Sequence, residues 1–138
     1  MSKQTGHCLC GAVKVTVEAE LSQVDICHCS MCRRWAGGPY FAMDCKSALT
    51  FTGEDKIKRY RSSDWAERAF CSECGTNLFY RLVEPDHYVL SAGLFDDQSA
   101  FHLEGQIFID EKPAYYDFAN KTKSMTGAEV FALYAPKT

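Results

Sequence analysis

The stretch Cys71-Ser72-Glu73-Cys74-Gly75 places two cysteines three positions apart and follows them with a glycine. A shorter version, Cys8-Leu9-Cys10-Gly11, occurs near the start of the chain. A tetrahedral zinc ion with Zn–S bonds of about 2.3 Å needs sulfurs about 3.8 Å apart, and both spacings can supply them from a tight turn. Glycine tolerates the positive φ that turns backbone N–H groups toward the sulfurs. Two such turns, far apart in sequence, predict a four-cysteine metal site that ties distant strands together.

A third group of cysteines lies between these two turns, in Cys27-His28-Cys29-Ser30-Met31-Cys32. If Cys8 and Cys10 share one metal with Cys71 and Cys74, the central group keeps three thiolates, which is the pattern of a catalytic metal with an open fourth position. In the alternative, Cys8 and Cys10 join two members of the central group, and Cys71 and Cys74 are left incomplete. The first arrangement is the more economical, but the spacing leaves both open.

The central group also has a purely structural alternative, a second closed site in which Cys45, His28 or His7 supplies the fourth ligand. Disulfides are disfavoured because cytosolic thiols stay reduced and Cys-x-Cys is a poor bridge. A core position is the leading interpretation of Cys45, since free cysteine is among the most buried residue types. We expect His28 to pack or to support the site, because its side chain would point away from a metal shared by its neighbours.

Composition limits the class of protein. The 138 residues fit one domain, here taken as a single zinc-binding domain over 1–138, and a net charge of −3 argues against a dedicated nucleic-acid binder. The sequence contains no run of about 18 apolar residues, so no membrane span is predicted. The first residues lack the apolar segment of a secretory signal, so we expect a cytoplasmic protein, in which eight cysteines indicate metal binding or catalysis.

Short alternating runs predict a mainly β chain. In residues 13–17, Val13, Val15 and Val17 share one face of a strand. Further strands are predicted over 40–43, Leu49–Thr52, Ile57–Arg61, 68–70, Asn77–Leu82, 88–91, 106–109 and 115–118. A short helix is predicted over Ser30–Ala36, and residues 126–134 fit a second helix or a strand. The predicted fold class is a small antiparallel β domain with one or two short helices.

The three cysteine groups together resemble the glutathione-dependent formaldehyde-activating enzyme family, which includes centromere protein V. The family pattern is Cys-x-Cys-Gly, then Cys-His-Cys-x-x-Cys, then Phe-Cys-x-x-Cys-Gly, and these motifs stand here at 8–11, 27–32 and 70–75. Residues 92–97 look like the family's Gly-x-x-Asp-Asp turn, so the likeness covers nearly the whole chain. The family commonly carries a Trp where this sequence has Tyr115-Tyr116.

This resemblance implies a small zinc-binding β domain of the β-tent type that holds two Zn²⁺ ions. It implies a structural zinc on Cys8, Cys10, Cys71 and Cys74, and a second zinc on Cys27, Cys29 and Cys32. The implied activity is that of a carbon–sulfur lyase, which joins glutathione or a similar small thiol to formaldehyde or another small aldehyde. With formaldehyde and glutathione the product is S-(hydroxymethyl)glutathione.

Two functional hypotheses follow. In the first, Cys27, Cys29 and Cys32 are the catalytic residues, because their zinc would hold the incoming thiol as a thiolate beside the aldehyde. Arg33 and Arg34 would then bind the carboxylates of glutathione, or else form a solvated helical face. In the second, the chain is a non-enzymatic zinc-binding module that binds a protein partner or serves as a scaffold. The basic residues of 56–61 would split between two faces of a strand, so no nucleic-acid partner is expected.

Overall fold

The structure is a computed structural model, and it describes residues 3–134. Eleven strands and two short helices are defined in these residues. In chain order they are β1 (Gln4–His7), β2 (Lys14–Val17), β3 (Gln23–Cys27), α1 (Ser30–Ala36), β4 (Tyr40–Lys46), β5 (Leu49–Thr52), β6 (Ile57–Arg61), β7 (Ala66–Cys71), β8 (Asn77–Leu82), β9 (His87–Ser91), β10 (His102–Ile107), β11 (Lys123–Met125) and α2 (Gly127–Tyr134). Neither of these two helices is long and apolar enough to cross a membrane.

The strands form two sheets. The small sheet has the order β1-β2-β5, and the large sheet has the order β11-β10-β3-β4-β9-β8-β7-β6. In the large sheet β10 runs parallel to both β3 and β11, and the other neighbours are antiparallel. The predicted class, mainly β with two short helices, is confirmed. The strands were expected to be antiparallel, and the structure has two parallel pairings as well.

The main core joins the small sheet to one face of the large sheet. Val13, Val15 and Val17 are 1%, 3% and 0% exposed, so the alternation seen in the sequence does put them on a buried face. Phe51 of the small sheet packs on Phe79 of the large sheet with ring centroids 5.2 Å apart. Burial of this apolar surface is what holds the two sheets together.

The opposite face of the large sheet carries α1 and a second, smaller core. Successive side chains of a strand point to opposite faces, so Val89 belongs to this core while its neighbour Leu90 belongs to the main one. Trp35 of α1 packs on Tyr40 of β4, with ring centroids 5.1 Å apart. Cys27 and Cys32 lie in the same small core, so the central cysteine group is built on this face.

The strand predicted over 115–118 is wrong. Tyr115 is 80% exposed, and the main-chain carbonyl of Tyr116 accepts a hydrogen bond from the Lys112 ammonium group. The edge of the large sheet next to β10 is taken by β11. Tyr116 and Phe118 cover His28 instead of joining a sheet, with ring centroids 6.0 Å and 6.3 Å from the imidazole.

The sequence prediction also omits β1, β3 and β11. Neither Gln4–His7 nor Lys123–Met125 is rich in β-branched or aromatic residues, so propensity gives little indication of a strand there. In β3, Val24 and Ile26 alternate with polar residues and are buried, so the sequence did indicate a strand there. The helix predicted over Ser30–Ala36 has those bounds, and within the segment 126–134 the residues Gly127–Tyr134 form a helix, α2.

Gly53 gives a test of how the small sheet is joined to β6. Its φ is +81°, and a Cβ there would lie 1.9 Å from the main-chain oxygen of Ala12. We expect Gly53→Ala to lower the free energy of unfolding by more than about 2 kcal/mol, because left-handed strain adds to a backbone clash. Urea unfolding measures the change.

Gly38→Ala is the matched control for this substitution. Nothing lies within 4 Å of a Cβ at Gly38, and its φ is outside the left-handed region. Its effect should stay within about 0.5 kcal/mol. Equal unfolding midpoints for the two variants would contradict the role given to Gly53.

Candidate metal centres

Four cysteines from two distant turns come together in one cluster. One turn links β1 to β2 and the other links β7 to β8, and the Sγ atoms of Cys8, Cys10, Cys71 and Cys74 all lie within 4.8 Å of one another. The Sγ of Cys10 is 3.6 Å from that of Cys8 and 3.8 Å from that of Cys71. These distances match the sulfur separation of about 3.8 Å around a tetrahedral zinc ion. The donor set therefore fits a thiophilic metal ion, and the cysteines group in the more economical of the two expected ways.

Each of the two turns is closed by its glycine. Gly11 has φ +81° and Gly75 has φ +77°, a conformation that favours glycine. The N–H of Gly11 donates to the Cys8 carbonyl at 3.0 Å, and the N–H of Gly75 donates to the Cys71 carbonyl at 2.8 Å. A further N–H, that of Val13, donates to the Cys8 sulfur at 3.3 Å. The backbone thus fixes the positions of the sulfurs.

Thr76 connects the two turns. Its hydroxyl accepts a hydrogen bond from the N–H of Leu9 at 3.0 Å and lies 3.1 Å from the Cys74 sulfur, to which it can donate. Hydrogen bonds from the Thr76 side chain, and then from its backbone, lower the pKa of Cys74 to about 5. This residue was absent from the predicted site. A hydroxyl directly after Cys-Gly was the indication available in the sequence.

The other three cysteines form a second cluster where β3 ends and α1 begins. The Sγ atoms of Cys27, Cys29 and Cys32 lie within 4.8 Å of one another. Cys29 is the N-cap of α1, and its sulfur accepts the N–H of Cys32 at 3.4 Å. Within residues 3–134 no further His, Cys, Asp or Glu atom joins this group, so three protein ligands are available to a metal.

None of the three candidates for a fourth ligand reaches this cluster. Cys45 is 3% exposed in the main core, where its thiol donates to the Met43 carbonyl at 3.4 Å and burial raises its pKa to about 12. His7 lies beside the other cluster, with Nδ1 2.7 Å from the Cys8 carbonyl oxygen and Nε2 3.3 Å from the carboxylate of Asp96.

His28 is fully buried, and both of its ring nitrogens have hydrogen-bond partners. The Gln106 amide donates to the Thr122 hydroxyl at 2.9 Å, so its Oε1 accepts from His28 Nε2 at 2.7 Å. Nδ1 then accepts the hydroxyl of Tyr116 at 3.0 Å. These bonds hold the imidazole away from the sulfurs and fix the loop between Cys27 and Cys29.

The three sulfurs share their protons unequally. Hydrogen bonds from the Cys27 thiol, and then from Cys32, lower the pKa of Cys29 to about 2. The bond to Cys29 is also the largest of the effects that raise the pKa of Cys27. Cys29 is therefore the first of the three to become a thiolate, at the position where a backbone N–H also stabilises it.

Arg68 of β7 is a buried cation beside this cluster. It is 5% exposed, and its NH1 donates to the Cys32 sulfur at 3.5 Å. Its guanidinium carbon lies 5.2 Å from the Trp35 ring centroid and 5.5 Å from that of Tyr80. Nothing in the local sequence distinguishes Arg68 from an exposed strand arginine, so it was missing from the predicted site.

The two arginines that the sequence singled out both lie on α1, directly after the cluster. Arg33 is partly buried and its Nε donates to the His28 carbonyl at 3.0 Å, whereas Arg34 is exposed and its NH1 donates to the Ser30 carbonyl at 3.4 Å. Neither lines the surface cavity that contains Arg68. Their role toward a substrate stays a prediction.

The chain resembles known proteins over most of its length. Residues 3–111 match the family model described as glutathione-dependent formaldehyde-activating enzyme. A Schizosaccharomyces pombe protein named "uncharacterized lyase" is 36% identical over 131 residues, which cover 94% of this chain and 96% of that protein. A crystal structure of a Rhodobacter sphaeroides protein superposes with a TM-score of 0.54 at 27% identity, covering 67% of this chain and 87% of that one.

The two clusters predict different consequences when one cysteine is removed from each. Cys71→Ser should lower the free energy of unfolding by more than about 4 kcal/mol, because the four-cysteine cluster ties the β1–β2 turn to the β7–β8 turn. Cys29→Ser should stay folded, since serine is a good N-cap, yet bind one metal ion fewer. Thermal unfolding and elemental analysis by mass spectrometry measure both effects.

Cys45→Ala is the control for these variants, because Cys45 belongs to neither cluster. It should keep both metal ions, although removing a buried thiol lowers stability. The two-centre account fails if wild type binds fewer than two metal ions, or if Cys29→Ser binds as many as wild type.

Proposed function

Since the chain belongs to the glutathione-dependent formaldehyde-activating enzyme family, we propose that it is a carbon–sulfur lyase-type enzyme that joins a small thiol to a small aldehyde. Glutathione and formaldehyde are the proposed pair. The observation that carries the proposal is a cluster of three cysteines, with no fourth protein ligand among residues 3–134. A purely structural thiolate site is normally closed by four protein ligands.

Zinc is the proposed metal for both clusters, because thiolate donors in tetrahedral spacing suit it. A structural ion would be held by Cys8, Cys10, Cys71 and Cys74, and a catalytic ion by Cys27, Cys29 and Cys32. Bound to three thiolates, zinc supplies a position for an incoming thiol and lowers the pKa of that thiol, so that its sulfur is a thiolate near neutral pH.

The proposed reaction is an addition that needs no oxidant. A lone pair of the substrate sulfur forms the C–S bond to the aldehyde carbon, and the π pair of the carbonyl moves to its oxygen. That oxygen takes up one proton and the thiol gives up one, so one thiol and one aldehyde give one hemithioacetal, which for formaldehyde is the S-hydroxymethyl adduct. The reverse sequence is the lyase reaction.

The chain's own residues keep the sulfurs rigid for this reaction. Gln106 and Tyr116 hold His28, and the carboxylate of Glu111 accepts the N–H of Ser30 at 3.0 Å, which fixes the start of α1. A ligand set that cannot rotate places the substrate sulfur in one direction, and such positioning accounts for much of the rate gain in additions.

Charge near the cluster also favours an anionic thiol. Three thiolates and one divalent ion sum to −1, and the Arg68 guanidinium next to Cys32 compensates this charge. Arg33 and Arg34 follow the cluster on α1, and we retain them as proposed contacts for substrate carboxylates.

The test is the exchange rate between formaldehyde and its glutathione adduct, measured by NMR exchange spectroscopy. Micromolar wild-type protein loaded with zinc should raise this rate by about tenfold or more over the spontaneous value. Cys29→Ser should return it to the spontaneous value, because the three-cysteine cluster loses a ligand while the N-cap is kept.

Cys45→Ala is again the matched control and should keep most of the acceleration. If zinc-loaded wild type leaves the spontaneous rate unchanged, this enzyme proposal fails, and a zinc-binding scaffold or interaction module becomes the better description.

A further inference from the structure

A surface cavity of about 360 Å³ includes Arg68, whose NH1 also contacts the Cys32 sulfur of the three-cysteine cluster at 3.5 Å. It is lined by Trp35, Tyr60, Arg68, Phe70, Gly75 and Asn77. Three of these six residues are aromatic, and Arg68 is the only charged one. The volume is within the range of about 300–1,000 Å³ that is usual for small-molecule sites.

The cavity walls come from elements that the fold holds firmly together. In the register of the large sheet, Tyr60 of β6 and Tyr80 of β8 lie opposite Arg68 of β7, one on each side. The amide of Asn77 donates to the Trp35 carbonyl at 2.9 Å, which links the end of α1 to the start of β8.

Arg68 is built into this cavity, and its buried Nε donor is unused. Its side chain is 95% buried, and its Nε has no hydrogen-bond partner. The NH1 donor is directed at the Cys32 sulfur, so the same guanidinium touches both the cysteine cluster and the cavity. A buried arginine donor left without an acceptor is unfavourable, and a cation that lines a cavity without a carboxylate partner suits an anionic ligand.

No carboxylate of the described chain serves that purpose. Among the ion pairs found within residues 3–134, none includes Arg68. Its neighbour Glu67 points to the other face of β7 and is bound by Arg59 at 2.6 Å and Arg81 at 3.1 Å.

We infer that Arg68 and this cavity form the subsite that binds a carboxylate of the thiol substrate, with Arg68 as a specificity-determining residue. This inference rests on the proposed function for the identity of the substrate as a peptide thiol of the glutathione type. The guanidinium fork binds carboxylates through two parallel N–H donors, and the aromatic walls take the carbon atoms next to the carboxylate. Glutathione has two carboxylates, so the second is left for Arg33 or Arg34.

The subsite also accounts for how the thiol is brought to the metal cluster. Arg68 is 3.5 Å from the Cys32 sulfur, so a carboxylate bound to it anchors the substrate within a few bonds' reach of the three cysteines. Thiols without a carboxylate would lose this anchor and bind more weakly.

The experiment follows the Arg68 Nε–H resonance in zinc-loaded, ¹⁵N-labelled protein during titration with S-methylglutathione. This analogue keeps both carboxylates but has no free thiol, so the measurement does not depend on turnover. The resonance should shift and saturate with S-methylglutathione and should not shift with its diethyl ester. If the resonance shifts with neither ligand, or shifts equally with both, the inference is overturned.

Variants provide the second measurement. Arg68→Met should weaken S-methylglutathione binding by about tenfold to a hundredfold, and Arg68→Lys by less, because lysine keeps the charge but not the planar fork. The control is Arg61→Met, which removes an exposed charge from β6 that is bonded to the carbonyls of Ser63 and Asp64. Zinc content must stay at the wild-type value. If Arg68→Met binds the free acid as tightly as wild type does, Arg68 only compensates the charge of the cluster and the inference fails.

The inference and the proposed function can fail separately. Saturable, Arg68-dependent binding of S-methylglutathione without any acceleration of formaldehyde exchange would support the subsite and reject the enzyme proposal. Acceleration that is the same for glutathione and glutathione diethyl ester, in both wild type and Arg68→Met, would support the enzyme and reject the subsite.

Discussion

The convergence of four sulfurs from two turns is the constraint on which the rest of the structure depends. Cys10 and Cys71 are 61 positions apart, yet their sulfurs are 3.8 Å from each other. One turn starts β2 of the small sheet, and the other joins β7 to β8 of the large sheet. A metal ion held here would fix both sheets at one point, and the valine face of β2 can then pack on the main core.

The same constraint positions the second cluster and the cavity. Because β7 and β8 are set by the turn that contains Cys71 and Cys74, the side chains of Arg68 and Asn77 are presented to α1 on the far face of the sheet. Arg68 then reaches Cys32, which is held by the helix that follows Cys29. The first cluster therefore lies where two distant turns meet, and the second lies beside Arg68, which lines the cavity.

The sequence predicted much of this and missed specific parts for physical reasons. Cysteine spacing indicated both clusters, since tight turns with glycine are local features, and the alternation of Val13, Val15 and Val17 indicated a buried strand face. Arg68 could not be predicted, because the partners that bury it, Trp35 and Tyr80, are brought next to it only by tertiary packing. The strand expected over 115–118 failed for a similar reason: Tyr116 and Phe118 pack on His28, and β11 occupies the sheet edge.

Zinc K-edge X-ray absorption of the two-zinc protein tests the central claim most directly, because it counts the sulfur ligands of zinc before and after glutathione is added. With one centre held by four cysteines and the other by three, the average should be about 3.5 sulfurs per zinc at about 2.3 Å. Addition of glutathione should raise the average to about 4, as the thiol takes the position that no residue of 3–134 fills. An average of 4 sulfurs before glutathione is added, or no change after it, would contradict the account.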